Sequence, residues 1–448
     1  MARLFGTDGV RGEANKVLMP EMAYRLGRAA TLYFGRNDEQ PMILIGRDTR
    51  LSGQLFESAL AAGICSAGGK AVICGVIPTP AIAHLAKHFN ANAGIVISAS
   101  HNPFQDNGIK FFGGDGYKLP DAVEDELEAI VHKIENGDDL PRALGGRIGI
   151  VHDRRDMIHE YGEFVCATTK ERFDGMKIVL DCANGASYQI GPYILRKLGA
   201  DVFVINASPD GTNINKECGS THLEMLQKEV VDHKADIGIA FDGDADRCLC
   251  VDEKGQVIDG DHILVLCGME MMKAGTLTHN TVVTTVMANI GFHKAIKAAG
   301  GRAEITQVGD RYVLENMLKN GYKLGGEQSG HIIFTDFSTT GDGPITAVQV
   351  LSSLKRSGKK ASELTALMKT YPQLLVNVNV KNKEGWEDSD EIKAAIEAGE
   401  KELGADGRVL VRPSGTEQLI RVMAEGPDQD QLNDICQKIA AVVKKVQG

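Results

Sequence analysis

Two hydroxyls, an imidazole and a proline close the apolar run in IVISASHNP, residues 95–103. One chemistry open to such a segment is a serine nucleophile with a histidine base. Adjacent residues on an extended segment point opposite ways, so His101 is badly placed to deprotonate Ser100. No Gly-x-Ser-x-Gly elbow surrounds the serine either. A serine that is already phosphorylated needs no such base. It needs a cation to neutralise its oxygens, and DGDADR, residues 242–247, can supply the site. Asp242, Asp244 and Asp246 stand at alternate positions, where three carboxylates repel one another unless a cation sits among them. All-oxygen ligation suits a hard ion such as Mg²⁺. An EF-hand loop begins with the same spacing, and Glu253 falls at its twelfth position. Arg247 stands where that loop needs a glycine, however, and CLCV beyond it is strand-like. A solvated acidic loop is the plainer alternative.

Two further polar loops offer groups for a ligand. RPSGTEQLIR supplies Arg412, Ser414, Gly415, Thr416 and Arg421. A guanidinium, two hydroxyls and backbone N–H groups freed by glycine are what a phosphate that is not transferred requires; an ordinary hairpin turn with a surface arginine fits as well. GEQSGH places Glu327, Gln328, Ser329 and His331 between glycines. Its carboxylate, amide and hydroxyl groups suit sugar hydroxyls, although for the loop alone a plain polar turn is the better reading.

The elements that must hold these loops repeat three times. MILIGRDTR at 42–50, KIVLDCANG at 177–185 and TVVTTVMAN at 281–289 each open a rhythm of short β-rich runs alternating with helices of ten or so residues. That alternation predicts parallel α/β layers, and three copies predict three related domains. After the last strand of each copy come SASHNP, DGDADR and GEQSGH. Ligands of open α/β sheets bind beyond the carboxyl ends of the strands, so three equivalent loops are expected to converge on one cleft. The C-terminal part departs from the pattern. LLVNVNV (374–380), GRVLV (407–411) and LIRVMA (419–424) alternate like strands, and DQDQLNDICQKIAAVVKKV closes as an amphipathic helix, predicting a smaller α+β domain.

Composition bounds the rest. A chain of 448 residues exceeds one comfortable core and divides into three or four units at roughly 150 residues each. Its nine cysteines include no Cys-x-x-Cys pair and read as reduced core residues. A formal charge of -11 disfavours nucleic acid or an anionic membrane as the main partner, because both need a basic footprint. The N-terminus has no apolar leader and no run is long enough to span a bilayer, so a cytoplasmic protein is expected.

Taken together, the four loops in this order and spacing resemble the α-D-phosphohexomutase family from end to end. GTDGVRG (6–12), GTEQ (415–418) and GEQSGH in place of GEMSGH point to the branch acting on glucosamine phosphates. Gln418 departs from the proline usual after RPSGTE, which bears on the stiffness of that loop and leaves its phosphate ligands in place. The resemblance implies three related mixed α/β domains and a smaller C-terminal α+β domain around a central active-site cleft, with boundaries at 1–153, 154–255, 256–369 and 370–448. It implies phosphoserine at Ser100 and one Mg²⁺ per chain held by Asp242, Asp244, Asp246 and a phosphoserine oxygen. The sugar phosphate would be anchored by Arg412, Ser414, Gly415, Thr416 and Arg421, with its ring hydroxyls against Glu327, Ser329 and His331.

The implied reaction interconverts glucosamine 6-phosphate and glucosamine 1-phosphate through a sugar 1,6-bisphosphate, on the route to UDP-N-acetylglucosamine and cell-wall precursors. Arg11, Lys110 and Arg247 match positions at the family's catalytic centre, the arginines stabilising the phosphoryl in flight. Lys110 and His331 both stand as proton acceptors, and His101 is assigned to shaping the serine loop. A homodimer is expected on resemblance alone. Rivals within and outside the family are a glucose or mannose phosphate mutase, a metal-dependent phosphatase and a non-catalytic sugar-phosphate binder.

Overall fold

A computed structural model describes residues 3–6, 8–36, 40–414 and 417–448. The chain divides into two compact units, one of residues 1–286 with 304–365 and one of residues 287–303 with 366–448.

In the first unit, strands Met42–Arg47, Lys70–Val76 and Ala93–Ile97 pair in parallel, with Val151–Asp153 parallel at one edge. Asp106–Gly113 and Val10–Glu13 complete a six-stranded sheet at the other edge, each antiparallel to its neighbour. Ile43, Ile45, Ile95 and Ile97 lie in its core with no solvent exposure. Each contributes about 1.5–3 kcal/mol by burial, which is why these strands read as continuous apolar runs. A second sheet has Lys177–Asp181 parallel to Asp201–Ile205 and to Ile237–Phe241, then antiparallel Cys248–Asp252 and Val257–Ile258. A third pairs Thr281–Thr285 in parallel with Leu324–Gly326, followed by antiparallel Ile332–Phe334.

The three sheets are therefore mixed rather than parallel throughout, and the departure falls at the same place in each. Ala93–Ile97 turns into Asp106–Gly113, Ile237–Phe241 into Cys248–Asp252, and Leu324–Gly326 into Ile332–Phe334. A parallel return needs a crossover of about a dozen residues or more. The intervening segments 98–105, 242–247 and 327–331 are too short for one, so the chain doubles back beside the strand it has just left. These three reversals carry SASHNP, DGDADR and GEQSGH.

One helix of this unit bears directly on the acidic loop. Gly343–Ser357 begins at Asp342, whose Oδ1 accepts from the Ile345 N–H at 2.8 Å, and ends at left-handed Gly358 with φ 62°. Such an N-cap satisfies one of the orphan donors of the first turn. The Gly343 N–H donates to the Ala245 carbonyl at 3.0 Å, so the positive end of the helix abuts DGDADR.

The second unit is α+β: strands Gln373–Asn379, Leu419–Glu425 and Arg408–Pro413 form an antiparallel sheet. Helices Asp390–Leu403 and Gln429–Gln447 supply Ile392, Leu432, Ile435, Ile439 and Val443 to its core. Helix Ile290–Ala298 belongs here although it follows a strand of the third repeat. Its neighbourhood explains why: Glu425 accepts from the Ile290 N–H at 3.1 Å, and Arg408 donates to the Ala288 carbonyl at 2.6 Å. All nine cysteines are unpaired and most are buried. No helix among the described residues is long and apolar enough to cross a membrane.

Candidate active site

Ser100, in the loop after Ala93–Ile97, is buried, and its Oγ donates to Asp242 Oδ2 at 2.6 Å. The contact to His101 Nδ1 is 3.5 Å, the limit of a hydrogen bond, as adjacency in the chain leads one to expect. Burial, with Arg247 and Arg11 adding to it, depresses the His101 imidazole to about 4, so it is neutral near pH 7.

Asp242, Asp244 and Asp246 present oxygens that all lie within 4.8 Å of one another. Burial followed by mutual repulsion pushes Asp242 well above the usual carboxylate range and raises Asp246 as well. At Asp244 burial acts in the same sense, yet the Lys110 ammonium and the Thr79 hydroxyl outweigh it and hold the carboxyl below that range. Lys110 Nζ donates to Asp244 Oδ2 at 3.0 Å and Thr79 Oγ1 to the same oxygen at 2.7 Å. Asp244 Oδ1 and Asp246 Oδ1 are buried without a hydrogen-bond partner among the described residues. Carboxylate oxygens gathered this closely, with two of them orphaned, fit a hard divalent cation and are costly without one. The backbone N–H of Arg247 donates to Asp242 Oδ1 at 3.2 Å, closing the loop.

Cations and carboxylates alternate around this cluster. Arg11 donates to Asp8, and Lys118 bridges Asp8 at 2.8 Å and Asp310 at 2.6 Å. Lys110 is buried, but Asp244, Asp8 and Asp246 outweigh its desolvation and raise it above an ordinary lysine. Arg247 is raised likewise, against burial, by Asp246, Asp242 and Glu327. His331 places Nε2 at 3.6 Å from Asp310 and 4.0 Å from Asp246, while its Nδ1 is buried without a hydrogen-bond partner among the described residues. Glu327 Oε1 accepts from the Gly309 N–H at 3.2 Å, and Ser329 Oγ is buried and unpartnered in the same sense.

Ser100, the three aspartates, Lys110, Arg11, Arg247 and His331 thus all lie in the first unit, linked by the contacts above. Arg412, Ser414 and Arg421 lie in the second. There Arg412 faces Arg421 across antiparallel strands; burial, then the charge of Arg421, lowers its guanidinium. Ser414 Oγ accepts from the Glu417 N–H at 3.2 Å and its carbonyl from Lys383 Nζ at 2.9 Å. Paired guanidinium groups beside a hydroxyl favour an anionic ligand. Gly415 and Thr416 lie outside the described residues.

Several contributors were not singled out from sequence: Thr79, Asp8, Lys118, Asp310, and, behind the serine, Asp48, Arg50 and Asn215. Asp8 sits inside the quoted GTDGVRG, and Asp48 and Arg50 follow the strand Met42–Arg47. A charged group directly after a strand's carboxyl end is the available signal, since the side chain's burial is not written in the residue type.

Family models described as phosphoglucomutase/phosphomannomutase α/β/α domains I, II and III match residues 2–138, 157–255 and 259–371. The C-terminal domain model of the same description matches residues 375–442. The chain is 53% identical over 447 residues to a phosphoglucosamine mutase of Ruminiclostridium cellulolyticum, covering 99% of each chain. It is 51% identical over 447 residues to one of Brevibacillus brevis, again covering 99% of each. Among solved structures it resembles a phosphoglucomutase/phosphomannomutase family protein of Burkholderia thailandensis, with TM-score 0.81, 23% identity, and 99% and 97% of the two chains covered. A second is the N-acetylphosphoglucosamine mutase of Aspergillus fumigatus in complex with GlcNAc-6P and magnesium, with TM-score 0.71, 20% identity, and 99% and 96% covered.

Proposed function

Because the chain belongs to the phosphoglucomutase/phosphomannomutase family, we propose that it is an isomerase interconverting glucosamine 6-phosphate and glucosamine 1-phosphate, with Ser100 as the phosphoryl carrier. The substrate class follows from whole-length relatives named phosphoglucosamine mutase. The observation that carries the role of Ser100 is its Oγ at 2.6 Å from Asp242, inside a cluster of carboxylates with orphaned oxygens.

The reaction is a pair of transfers. The sugar 1-hydroxyl attacks the seryl phosphorus; its P–O1 bond forms as the bond to Ser100 Oγ breaks, giving glucosamine 1,6-bisphosphate. The intermediate turns over; Ser100 Oγ attacks the 6-phosphorus, the P–O6 bond breaks as the P–Oγ bond forms, O6 takes up a proton, and glucosamine 1-phosphate leaves. Asp242, Asp244 and Asp246 are the residues to hold one Mg²⁺ per chain, which when bound polarises the seryl phosphate and offsets its charge. Arg11 and Arg247 meet the charge of the phosphoryl in flight. Of the two candidates to take the proton from the attacking hydroxyl, Lys110 is held as an ammonium by Asp244 and serves as a charge partner, which leaves His331 as the acceptor. Glu327 and Ser329 bind ring hydroxyls, and Arg412, Ser414, Gly415, Thr416 and Arg421 hold the phosphate that is not being transferred. Sugar 1,6-bisphosphate serves as both intermediate and activator.

The four domains bounded at 153, 255 and 369, a homodimeric assembly and a cytoplasmic setting complete the proposal; nine free thiols fit a reducing compartment. The test is intact-mass measurement of the chain and of Ser100→Ala, with turnover followed on glucosamine 6-phosphate plus a trace of bisphosphate. The wild-type chain is expected to carry one phosphoryl group and isomerise the sugar, and the variant to do neither. Phosphorus retained in Ser100→Ala, or inorganic phosphate released without isomerisation, would overturn the reading.

A further inference from the structure

We infer that Asp48, Arg50 and Asn215 form a clamp on the backbone of the serine loop that positions Ser100 Oγ for phosphoryl transfer; this deepens, and rests on, the reading of Ser100 as the carrier. Ser100 takes a left-handed backbone conformation, φ 50°. A residue other than glycine keeps such a conformation when its surroundings over-determine it, and these outliers concentrate at working sites.

The surroundings are specific. The Ser100 carbonyl accepts from Arg50 Nη2 at 3.1 Å and from Asn215 Nδ2 at 2.9 Å. The Asn102 carbonyl accepts from the same two groups, at 2.5 Å and 3.2 Å. On the amide side, the Ser100 N–H donates to Ser98 Oγ at 2.9 Å, and that hydroxyl donates to Asp48 Oδ2 at 2.6 Å. Asp48 closes the ring by accepting from both the backbone N–H and the guanidinium of Arg50. The N–H and C=O of Ser100 are thus tied to one ion pair whose side chains are 0% exposed.

Residue type matters at each corner. A guanidinium fork can reach a carboxylate and two carbonyls together, whereas an ammonium group has no such plane. Asn215 lies in the loop that follows the strand Asp201–Ile205 of the second sheet. Gly243, in the acidic loop, lies so close to the same carbonyl that a Cβ there would sit 2.6 Å from Ser100 O. The carbonyl behind the nucleophile is therefore where the serine loop and the metal-binding loop are pinned together. Arg50 and Asn215 meet neither the metal oxygens nor Ser100 Oγ in the contacts above; they are positioning residues, and their loss lets Oγ drift relative to Asp242. A displacement of ~1 Å at a reacting centre costs about 100-fold in rate.

The experiment compares the wild-type chain with Asn215→Ala and Arg50→Lys, measuring phosphoserine by intact mass, kcat and KM for glucosamine 6-phosphate at saturating magnesium, and Tm. For Asn215→Ala, which leaves the buried ion pair intact, kcat is expected to fall by about 10- to 100-fold with KM within about threefold and Tm nearly unchanged. Arg50→Lys should fall further in kcat. If Arg50→Lys does not fold, Asn215→Ala decides alone. Turnover of Asn215→Ala within about twofold of wild type refutes the clamp, as does a kcat loss accompanied by a Tm loss of more than roughly 5 °C, the mark of a merely structural contact. Should wild type carry no phosphoserine, the functional reading fails instead; should it carry one and Asn215→Ala turn over normally, the reading stands and the clamp falls.

Discussion

Asp342→Asn should make the protein more stable at pH 8 and leave it unchanged near pH 4. Asp342 is 2% exposed and its Oδ1 accepts from both the Ile345 N–H and the Tyr161 hydroxyl, each at 2.8 Å. Burial nevertheless wins, raising the carboxyl from 3.8 to about 7, with the charge of Asp246 adding to it. A raised acid is protonated in the fold at pH values where the unfolded chain has already ionised. Stability is therefore unaffected below the unfolded value, falls as pH rises from about 4 to about 7, and stays reduced above that. A shift of this size corresponds to roughly 4 kcal/mol at 1.36 kcal/mol per unit. An amide reproduces the neutral acid: its oxygen keeps the cap and the tyrosine contact, and its N–H₂ stands where the acid O–H stood. The measurement is thermal unfolding of variant and wild type from pH 4.5 to 8.5 in chelator, taken as a difference so that other titrations cancel. The variant's advantage should grow from near zero to several degrees, since about 4 kcal/mol moves Tm by on the order of 5 °C in a chain of this size. An advantage equal at pH 5 and pH 8, or a wild type more stable at pH 8, would show that this carboxyl does not sit in the fold as an acid.

Gly343→Ala would place a Cβ 2.6 Å from the Arg247 carbonyl and 2.8 Å from that of Ala245, pushing on the acidic loop from behind. Magnesium affinity should drop about 10- to 100-fold, read as the concentration giving half-maximal turnover, as for other groups that orient metal ligands. Lys110→Met strips the buried Asp244 carboxylate of its ammonium partner. Turnover should be lost, and stability in chelator should fall by about 3–5 kcal/mol at pH 7, the cost of breaking a buried pair; magnesium should restore part of that stability by replacing the missing charge. Treatment of the wild type with chelator should abolish isomerisation and magnesium should restore it, while Tm rises with metal concentration in the manner of a ligand that binds the fold.

The strand–helix rhythm, the three repeats and the distinct C-terminal α+β part were legible because they follow from local rules: apolar runs bury as strands, and periodic apolar faces bury as helices. The four polar loops could be picked out because their residue types stand at short spacing in the sequence. The alternation of Asp242, Asp244 and Asp246 pointed to a cation but left a solvated acidic loop open; their burial with two unpartnered oxygens is what the fold adds.

Other features depend on distance in space. That each functional loop turns its chain back antiparallel, and that helix Ile290–Ala298 belongs with Glu425 and Arg408, are settled by packing partners far away in the chain. Asp48 and Arg50 look like ordinary charged residues after a strand; only burial beside Ser98 and Ser100, with Asn215 arriving from a loop beyond another sheet's strand, makes them a support for the serine. Asp342, not singled out in the sequence, caps a helix and becomes an acid of about 7 in the fold. The reason is common to all of these: residue type and spacing specify which groups exist and which elements they sit on, but desolvation and Coulomb energy depend on what surrounds a group, and that is assembled only when remote segments pack together.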